Sequence, residues 1–419
     1  MSVQAAPPPG DLPLAGYRVV DLSWVIAGPA CTKFLADQGA EVIKVESETL
    51  SDAVRHFGPW LDGKNTAPEG GAAFILLNRN KRSITLDLKN PRGFALLMEL
   101  VKISDVVVDN FAAGTMDRLG LGYQVLKEAN PNIIMAQLSG FGQAGPYARR
   151  VAYGQSLLSM TGHYDQIGDA KGTPLLPGYT YTDQAAGTIG AFAIMAALYH
   201  REKTGEGQHL DLSLFQMGSS LMGEFLIEAS VNGSQRSRTG NSRPDALSQG
   251  AYKCAGENEW CVIVIWTPED WQALLEVVAQ DDPGLGVLLG ELSITGLDQA
   301  AIDPLIEKWT MTQTPQQVME RLQARGVEAA MVQGPKHLLT SDTHLHARGY
   351  FQPFTHIPSG RELPIDGIPY AMSDVPRSIR HGPPRLGEAN DYVFRDLLGL
   401  PEEEIEALRQ SGIIGKKKP

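Results

Sequence analysis

The chain is poor in cysteine, in positive charge and in long apolar runs. Its three cysteines among 419 residues, Cys31, Cys254 and Cys261, have neither the paired spacing of a zinc site nor the density of a disulfide framework. No metal is expected, sulfur redox chemistry is disfavoured, and a reducing compartment, the cytoplasm, is the expected location. Lysine and arginine number 36 against 48 acidic residues, a formal net charge of −12. That is the wrong sign for a protein that binds nucleic acid by releasing counterions from phosphates, so no nucleic-acid partner is expected. A local basic pocket for a small anion stays compatible with it. No apolar stretch reaches the roughly 18 to 20 residues needed to span a bilayer, and no membrane partner is expected. The opening MSVQAAPPPGDLPLAG has neither the basic start nor the apolar centre of a signal peptide; it reads as a loose arm.

What the chain does carry is length and alternation. At 419 residues it exceeds the size at which one core usually stops growing, so two domains are the natural expectation. YRVVDLSWVIAGPACTKFLADQGAEVIKVE sets a β-branched run, a Gly-Pro turn, a helical stretch and a second apolar run in series, a β-α-β pattern. KRSITLDL, PRGFALLMELVKIS, DVVVDNF and NIIMAQLSGFGQAGP continue it. The prediction is an α/β fold with a mostly parallel sheet and ligand sites at the C-terminal ends of its strands, at 23–28, 110–118 and 139–146. Beyond about residue 225 the pattern changes. SQRSRTGNSRPDALSQG is polar and turn-rich, and AYKCAGENEWCVIVIW resembles a hairpin. The expected organisation is a large Rossmann-like domain over 1–225, a smaller α+β domain over 226–335, and a return to the large domain over 336–419.

A dinucleotide site would use Gly28 in the first turn and Glu46 on a ribose. The segment lacks the second and third glycines that let a backbone approach a pyrophosphate and a helix pack closely, so a nucleotide-dependent dehydrogenase is disfavoured. Asn78, Lys81 and Arg82 precede a strand, as phosphate ligands or as a solvated basic turn. Asn110 and Arg118 follow another strand. Asp183 stands just before the apolar run QAAGTIGAFAIMAAL. It reads either as a helix cap or as a carboxylate nucleophile for an activated acyl group.

In order, VVDLSWVIAGPACTKFLADQGAEVIKVE, NRNKRSITLDLKNPRG, SDVVVDNFAAGTMDRLGLGY, LSGFGQAGPY, TDQAAGTIGAFAIMAALYHREKTGEGQHLDLSL and HLHARGYF resemble the class III coenzyme A transferases, the family of formyl-CoA and carnitine-CoA transferases and α-methylacyl-CoA racemases. The resemblance implies a Rossmann-like large domain built from both chain ends, a smaller middle domain, and an interlocked dimer. It implies Asp183 as the catalytic aspartate, passing through aspartyl anhydride and aspartyl-CoA thioester intermediates. Coenzyme A esters are then substrates, with no tightly bound cofactor. Val25 and Ala27 would follow the CoA path, Asn110 and Arg118 would contact CoA, and Lys81 and Arg82 would meet phosphate. Ile26 stands where formyl-CoA transferases have glutamine, and Ser47 where they have a nucleotide-binding arginine, so oxalate chemistry is not implied.

The donor is expected to be an acyl-CoA such as succinyl-CoA. The acceptor is expected to be a carboxylic acid, with aryl-substituted dicarboxylates such as benzylsuccinate in view. The racemase branch places a histidine near YGQSLLSMTG, where this chain has Tyr153, Gly154 and Gln155; His163 is offset and expected in a loop. Transfer is therefore favoured over racemisation. A homodimer or a heteromer with a related subunit is expected, and a non-catalytic subunit is the reading that retention of Asp183 argues against. Gln155, Tyr179, Tyr181, Trp24 and Trp60 are candidates for the acyl side, and Asn241 and Gly250 for a covering loop over 238–250.

Overall fold

The computed structural model describes residues 12–61, 63, 69–243, 245–292, 299–356, 359–377 and 379–415; the expected N-terminal arm falls largely outside them. The chain forms two compact units. One contains the described parts of 1–163, 177–227 and 344–419, the other those of 164–176 and 228–343.

The first unit is built on six strands: β1 (Arg18–Asp21), β2 (Glu41–Glu46), β3 (Arg82–Thr85), β4 (Val106–Asp109), β5 (Ile134–Ser139) and β6 (His209–Ser213). All neighbours pair in parallel, in the order β3-β2-β1-β4-β5-β6. Short runs such as VVVD pair this way because both sheet faces are covered, so residues of either parity can be apolar. Alternation divides the core accordingly. Val20, Ile43, Val107 and Met135 pack with Leu96, Leu97 and Leu100 of helix Pro91–Lys102. Val19, Val42, Val106 and Ile134 face Cys31 and Leu35 of helix Ala27–Asp37 and Ala191 and Ile194 of helix Tyr181–Thr204.

Those last two helices are in close contact, and one glycine allows it. A Cβ at Gly187 would lie 2.7 Å from Ala30 Cβ and 2.9 Å from the Ala27 carbonyl oxygen, well inside normal contact distance. The start of the 181–204 helix is thereby held beside the loop that leaves β1. The C-terminal return is tied to the same region, since Asp366 pairs with Lys33 at 3.3 Å and with Arg79 at 3.0 Å.

The second unit contains the antiparallel strands β7 (Ser248–Lys253), β8 (Trp260–Ile265) and β9 (Glu328–Met331), in that order across the sheet. The expected hairpin is β7-β8. Helix Pro268–Asp281 starts at a capping box made by Thr267 and Asp270, and its Trp271, Leu274 and Val278 pack with Ile302, Ile306 and Trp309 to close the core. Among the described residues of the whole chain, no helix is long and apolar enough to cross a membrane.

Candidate active site

Between β1 and β4 the strand order reverses, so the connections after these two strands diverge and leave a crevice at their C-terminal ends. Trp24, Val25, Ala27 and residues 110–112 line it. Val25 has a φ of 65°, a left-handed conformation that costs a β-branched residue on the order of 1–3 kcal/mol. The surroundings hold it there. The Trp24 amide donates to Asn110 Oδ1 at 2.8 Å and Asn110 Nδ2 donates to the Trp24 carbonyl at 2.6 Å. The Val25 amide donates to Asp52 Oδ1 at 3.0 Å. Lys44 Nζ donates to the Ser23 carbonyl at 2.7 Å and pairs with Asp52 Oδ2 at 2.9 Å, both side chains fully buried. Burial works against the Lys44 charge, yet Asp52, Asp21 and Glu46 outweigh it and raise its pKa. Asp52→Ala is expected to cost about 3 kcal/mol in urea denaturation, because it leaves Lys44 buried without its nearest anion. Asp52→Asn keeps an acceptor for the Val25 amide and is expected to lose less.

Asp183 faces the same crevice. It is the third residue of helix 181–204; the cap position belongs to Thr180, whose side chain makes no capping bond. The expectation of Asp183 as the cap is therefore corrected by a shift of three residues, into the first turn. The side chain is only 8% exposed, and its Oδ2 is buried without a hydrogen-bond partner. Burial pushes the carboxyl up to about 6, with the Thr180 hydroxyl and its own amide drawing it partly back. Together with Trp24, Val25, Ala27, Asn110 and Tyr153 it lines a cavity of about 220 Å³.

Room for that carboxylate comes from Gly154, the first residue of helix Gly154–Met160. A Cβ there would fall 1.8 Å from Asp183 Oδ2 and 2.7 Å from Thr180 Cβ. A larger cavity of about 630 Å³ is lined by Gly114, Tyr123, Gln143, Arg149 and His209. The Tyr123 and His209 rings stack there at 5.3 Å. Arg118, one turn after Gly114, donates to Thr115 Oγ1 at 2.8 Å.

The structure brings Asp183, Val25, Ala27 and Asn110 together, and puts Arg118 beside the second cavity. Lys81 is elsewhere. It is fully buried, paired with Asp21 at 3.1 Å and donating to Asn78 at 2.9 Å, so the phosphate contact expected of it is corrected to a structural ion pair. Burial pushes its ammonium down to about 8, opposed by Asp21, and burial of Asp21 is itself overcome by Lys81 and Lys44, which hold that carboxyl at about 2. Arg82 begins β3, at the opposite edge of the sheet, and is likewise not brought to the crevice. Glu46, the ribose ligand of the dinucleotide reading, is buried in a 2.6 Å pair with Arg55.

Of the acyl-side candidates, Trp24 lines the cavity. Tyr179 and Tyr181 are exposed and lie against each other, 5.9 Å between rings. Trp60 donates to the His56 carbonyl. Ile26 occupies the cap position of helix 27–37, and Gln155 donates to the Pro177 carbonyl at 3.3 Å. His163, expected in a loop, opens a short helical turn and hydrogen-bonds Thr161. Asn241 and Gly250 belong to the second unit. The Asn241 carbonyl accepts from Gln249, and Gly250, expected in a loop, is a β7 residue opposite Ile263; Pro244 of that segment lies outside the described residues. Asp52 and Arg149 were not singled out from sequence, and Gly154 was noted only as part of the stretch without the racemase histidine. A glycine opening a helix, an acid after a strand and one of two adjacent arginines carry no local signal of a shared site.

A doubly wound parallel sheet, with a buried carboxylate at the point where its strand order reverses, defines an α/β protein with a ligand crevice in its Rossmann-like unit. The chain belongs to CoA-transferase family III, whose family model matches residues 14–390. It is a CoA-transferase with acyl-CoA substrates. It is 31% identical over 404 residues to the succinyl-CoA--L-malate CoA-transferase beta subunit of Chloroflexus aurantiacus, covering 96% of this chain and 98% of that one. To the succinyl-CoA--D-citramalate CoA-transferase of the same organism it is 33% identical over 402 residues, with the same coverage. A formyl-CoA:oxalate CoA-transferase of Streptomyces coelicolor is 34% identical over 423 residues, 96% of this chain and 99% of that one. Among solved structures, a CAIB/BAIF family protein from Brucella suis superposes with a TM-score of 0.81 at 29% identity, over 92% of this chain and 99% of that one.

Proposed function

We propose that this enzyme moves CoA from an acyl-CoA donor of the succinyl-CoA type to a carboxylic acid, with Asp183 as the nucleophile. The observation that carries this reading is the buried Asp183 oxygen without a partner, facing a cavity at the reversal of the strand order. Its carboxylate attacks the donor thioester carbonyl, the C–S bond breaks, and CoA leaves as thiolate from an aspartyl anhydride. The thiolate attacks the aspartyl carbonyl, giving aspartyl-CoA thioester and releasing the donor acid. The acceptor carboxylate attacks that thioester and expels thiolate again. The thiolate then takes the acceptor acyl group from the second anhydride and regenerates Asp183. Each step exchanges one activated acyl bond for another, so no external energy source enters.

Val25, Ala27 and Asn110 line the thioester end of the path in this reading, and Arg118 and Arg149 meet the phosphates in the larger cavity. The relatives named for succinyl-CoA support the donor class, and the acceptor proposed is a dicarboxylic acid. Racemisation is the weaker reading, because among the described residues no histidine lines the Asp183 cavity. Ile189, Phe192, Met195 and Tyr199 on helix 181–204 are exposed, which supports a dimer, either of two copies or with a related subunit.

The test incubates purified protein with succinyl-CoA and L-malate, D-citramalate, benzylsuccinate or oxalate, following new CoA esters by mass spectrometry. Transfer to at least one dicarboxylate is expected. No transfer, combined with deuterium uptake at the α-carbon of a 2-methylacyl-CoA in heavy water, would replace transfer by racemisation. Activity that appears only after coexpression with a related chain would make the enzyme heteromeric.

A further inference from the structure

The basic motif NRNKRS is left over from the active site, and the structure gives Arg82 of that motif other company. At the N-terminal edge of the sheet, opposite Asp183, Arg18 from the start of β1, Arg82 from the start of β3 and Arg380 from the C-terminal return converge on a cavity of about 440 Å³. Glu41 is the acid lining it. One of its oxygens pairs with Arg18 at 2.7 Å, and the other with Arg82 at 3.3 Å while accepting from the Tyr392 hydroxyl at 2.6 Å. Two guanidinium groups thus share one carboxylate at the cavity wall, and the third, that of Arg380, has no part in it.

Arg380 is the least satisfied of the three. Its Nη2 donates to the Ala36 carbonyl, but its Nε is buried without an acceptor. Asp37 stands nearby, but both of its oxygens are engaged by Arg79, and one also accepts from Asn80. Burial lowers the Arg380 pKa; Asp37 opposes this, and the Arg82 charge adds to it. Neighbouring His381 is held neutral-leaning by burial and by the same two arginines. The segment bearing Arg380 is fixed in place, because Asn80 Oδ1 accepts from the Arg380 amide at 2.8 Å and the Asn80 amide donates to the His381 carbonyl at 3.1 Å. The Arg82 guanidinium carbon sits over the Tyr392 ring, 4.2 Å from its centroid, with the side chain partly in solvent. A buried donor without an acceptor, in a cleft lined by three arginines and, among the described residues, one carboxylate, is the signature of a site completed by an anion.

We infer that this cleft binds a phosphate group, held by Arg82 and Arg380 on the sheet edge remote from the acyl-transfer site. A phosphate oxyanion matches planar guanidinium forks and relieves the Arg82–Arg380 repulsion, while Glu41 keeps Arg18 in register. The inference is independent of the acyl-transfer mechanism.

Isothermal titration with inorganic phosphate, at fixed ionic strength and with the protein saturated with CoA to occupy the catalytic crevice, should show one site. Arg82→Gln, at a half-exposed side chain, should weaken it about tenfold, the effect of one charge-assisted contact. Arg380→Gln should weaken it at least as much, and Arg149→Gln, in the catalytic crevice, should leave it unchanged. Replacing inorganic phosphate by glycerol phosphate distinguishes a free phosphate ligand from a phosphorylated metabolite. Absence of phosphate binding to the CoA-saturated protein, as when a second copy of the chain fills the cleft, overturns the inference. So does binding that is indifferent to both Arg82→Gln and Arg380→Gln.

Discussion

Asp183→Asn is expected to abolish CoA transfer while making the folded protein more stable. Asparagine cannot form the anhydride, so the loss should be on the order of 10⁴-fold or more, as for other covalent nucleophiles. The stability gain follows from the raised pKa. Burial moves the carboxyl from 3.8 to about 6, so between those values the folded state holds the proton more tightly than the unfolded chain. Stability therefore falls as pH rises through this window, and above it the ionised group costs the native state about 3 kcal/mol. An uncharged isostere removes that cost. Thermal unfolding should show Asp183→Asn ahead of the parent at pH 8, with the advantage vanishing below pH 4. A variant less stable than the parent at pH 8 would contradict the buried, unpaired carboxylate. In the proposed mechanism the same group sets the activity profile: kcat/KM of the parent should rise with pH through about 6 and level off above it, because the carboxylate is the reacting form. Desolvated and with Oδ2 free of hydrogen bonds, it is in the proposed mechanism a better nucleophile than an exposed aspartate at the same helix end, where the dipole would lower its basicity.

Gly154→Ala is the second large effect. A methyl group 1.8 Å from Asp183 Oδ2 cannot coexist with the observed carboxylate position. Thr180, 2.7 Å from the same methyl, obstructs a simple retreat, so the carboxylate must turn away from the cavity. Displacing a reacting group by about 1 Å costs roughly 10²-fold in rate. The expected result is a fall of that order in kcat with KM for the acyl-CoA nearly unchanged, since the CoA path proposed along Val25 and Asn110 is not touched. Intact-mass spectra after mixing with acyl-CoA should show the covalent adduct much reduced. Parent-like kcat in a folded Gly154→Ala protein would mean that Asp183 takes another position in the working enzyme.

Much of the first unit was legible in the chain. Runs such as VVVD and IIMAQLS, separated by helix-length segments, predict a parallel sheet, and the proline opening PRGFALLMELVKIS predicts the helix that starts at Pro91. The strand ends 23–28 and 110–118 border the crevice because, in a parallel sheet of this kind, ligands lie beyond the C-terminal edge. Lys81 and Arg82 show the limit. They precede a strand rather than follow one, which puts them at the other edge of the same sheet. That placement was implicit in the topology, but local basic character suggested phosphate. Lys81 turned out to be the counter-charge of Asp21, a partner sixty residues away that no local pattern names.

The sequence by itself determined the alternation of strands and helices, the family, and the one aspartate at the head of the long helix. Those properties are local or ordered along the chain, so periodicity and motif order record them. Only the tertiary structure decided that Thr180 rather than Asp183 occupies the cap position, that Gly154 makes room for the carboxylate, that Lys44 and Asp52 hold Val25 in a left-handed conformation, and that Arg82 meets Arg380 across nearly three hundred residues. Each depends on groups far apart in the chain meeting in low-dielectric surroundings. There, a missing methyl or an unpaired charge changes the chemistry without leaving a trace in the residues next to it.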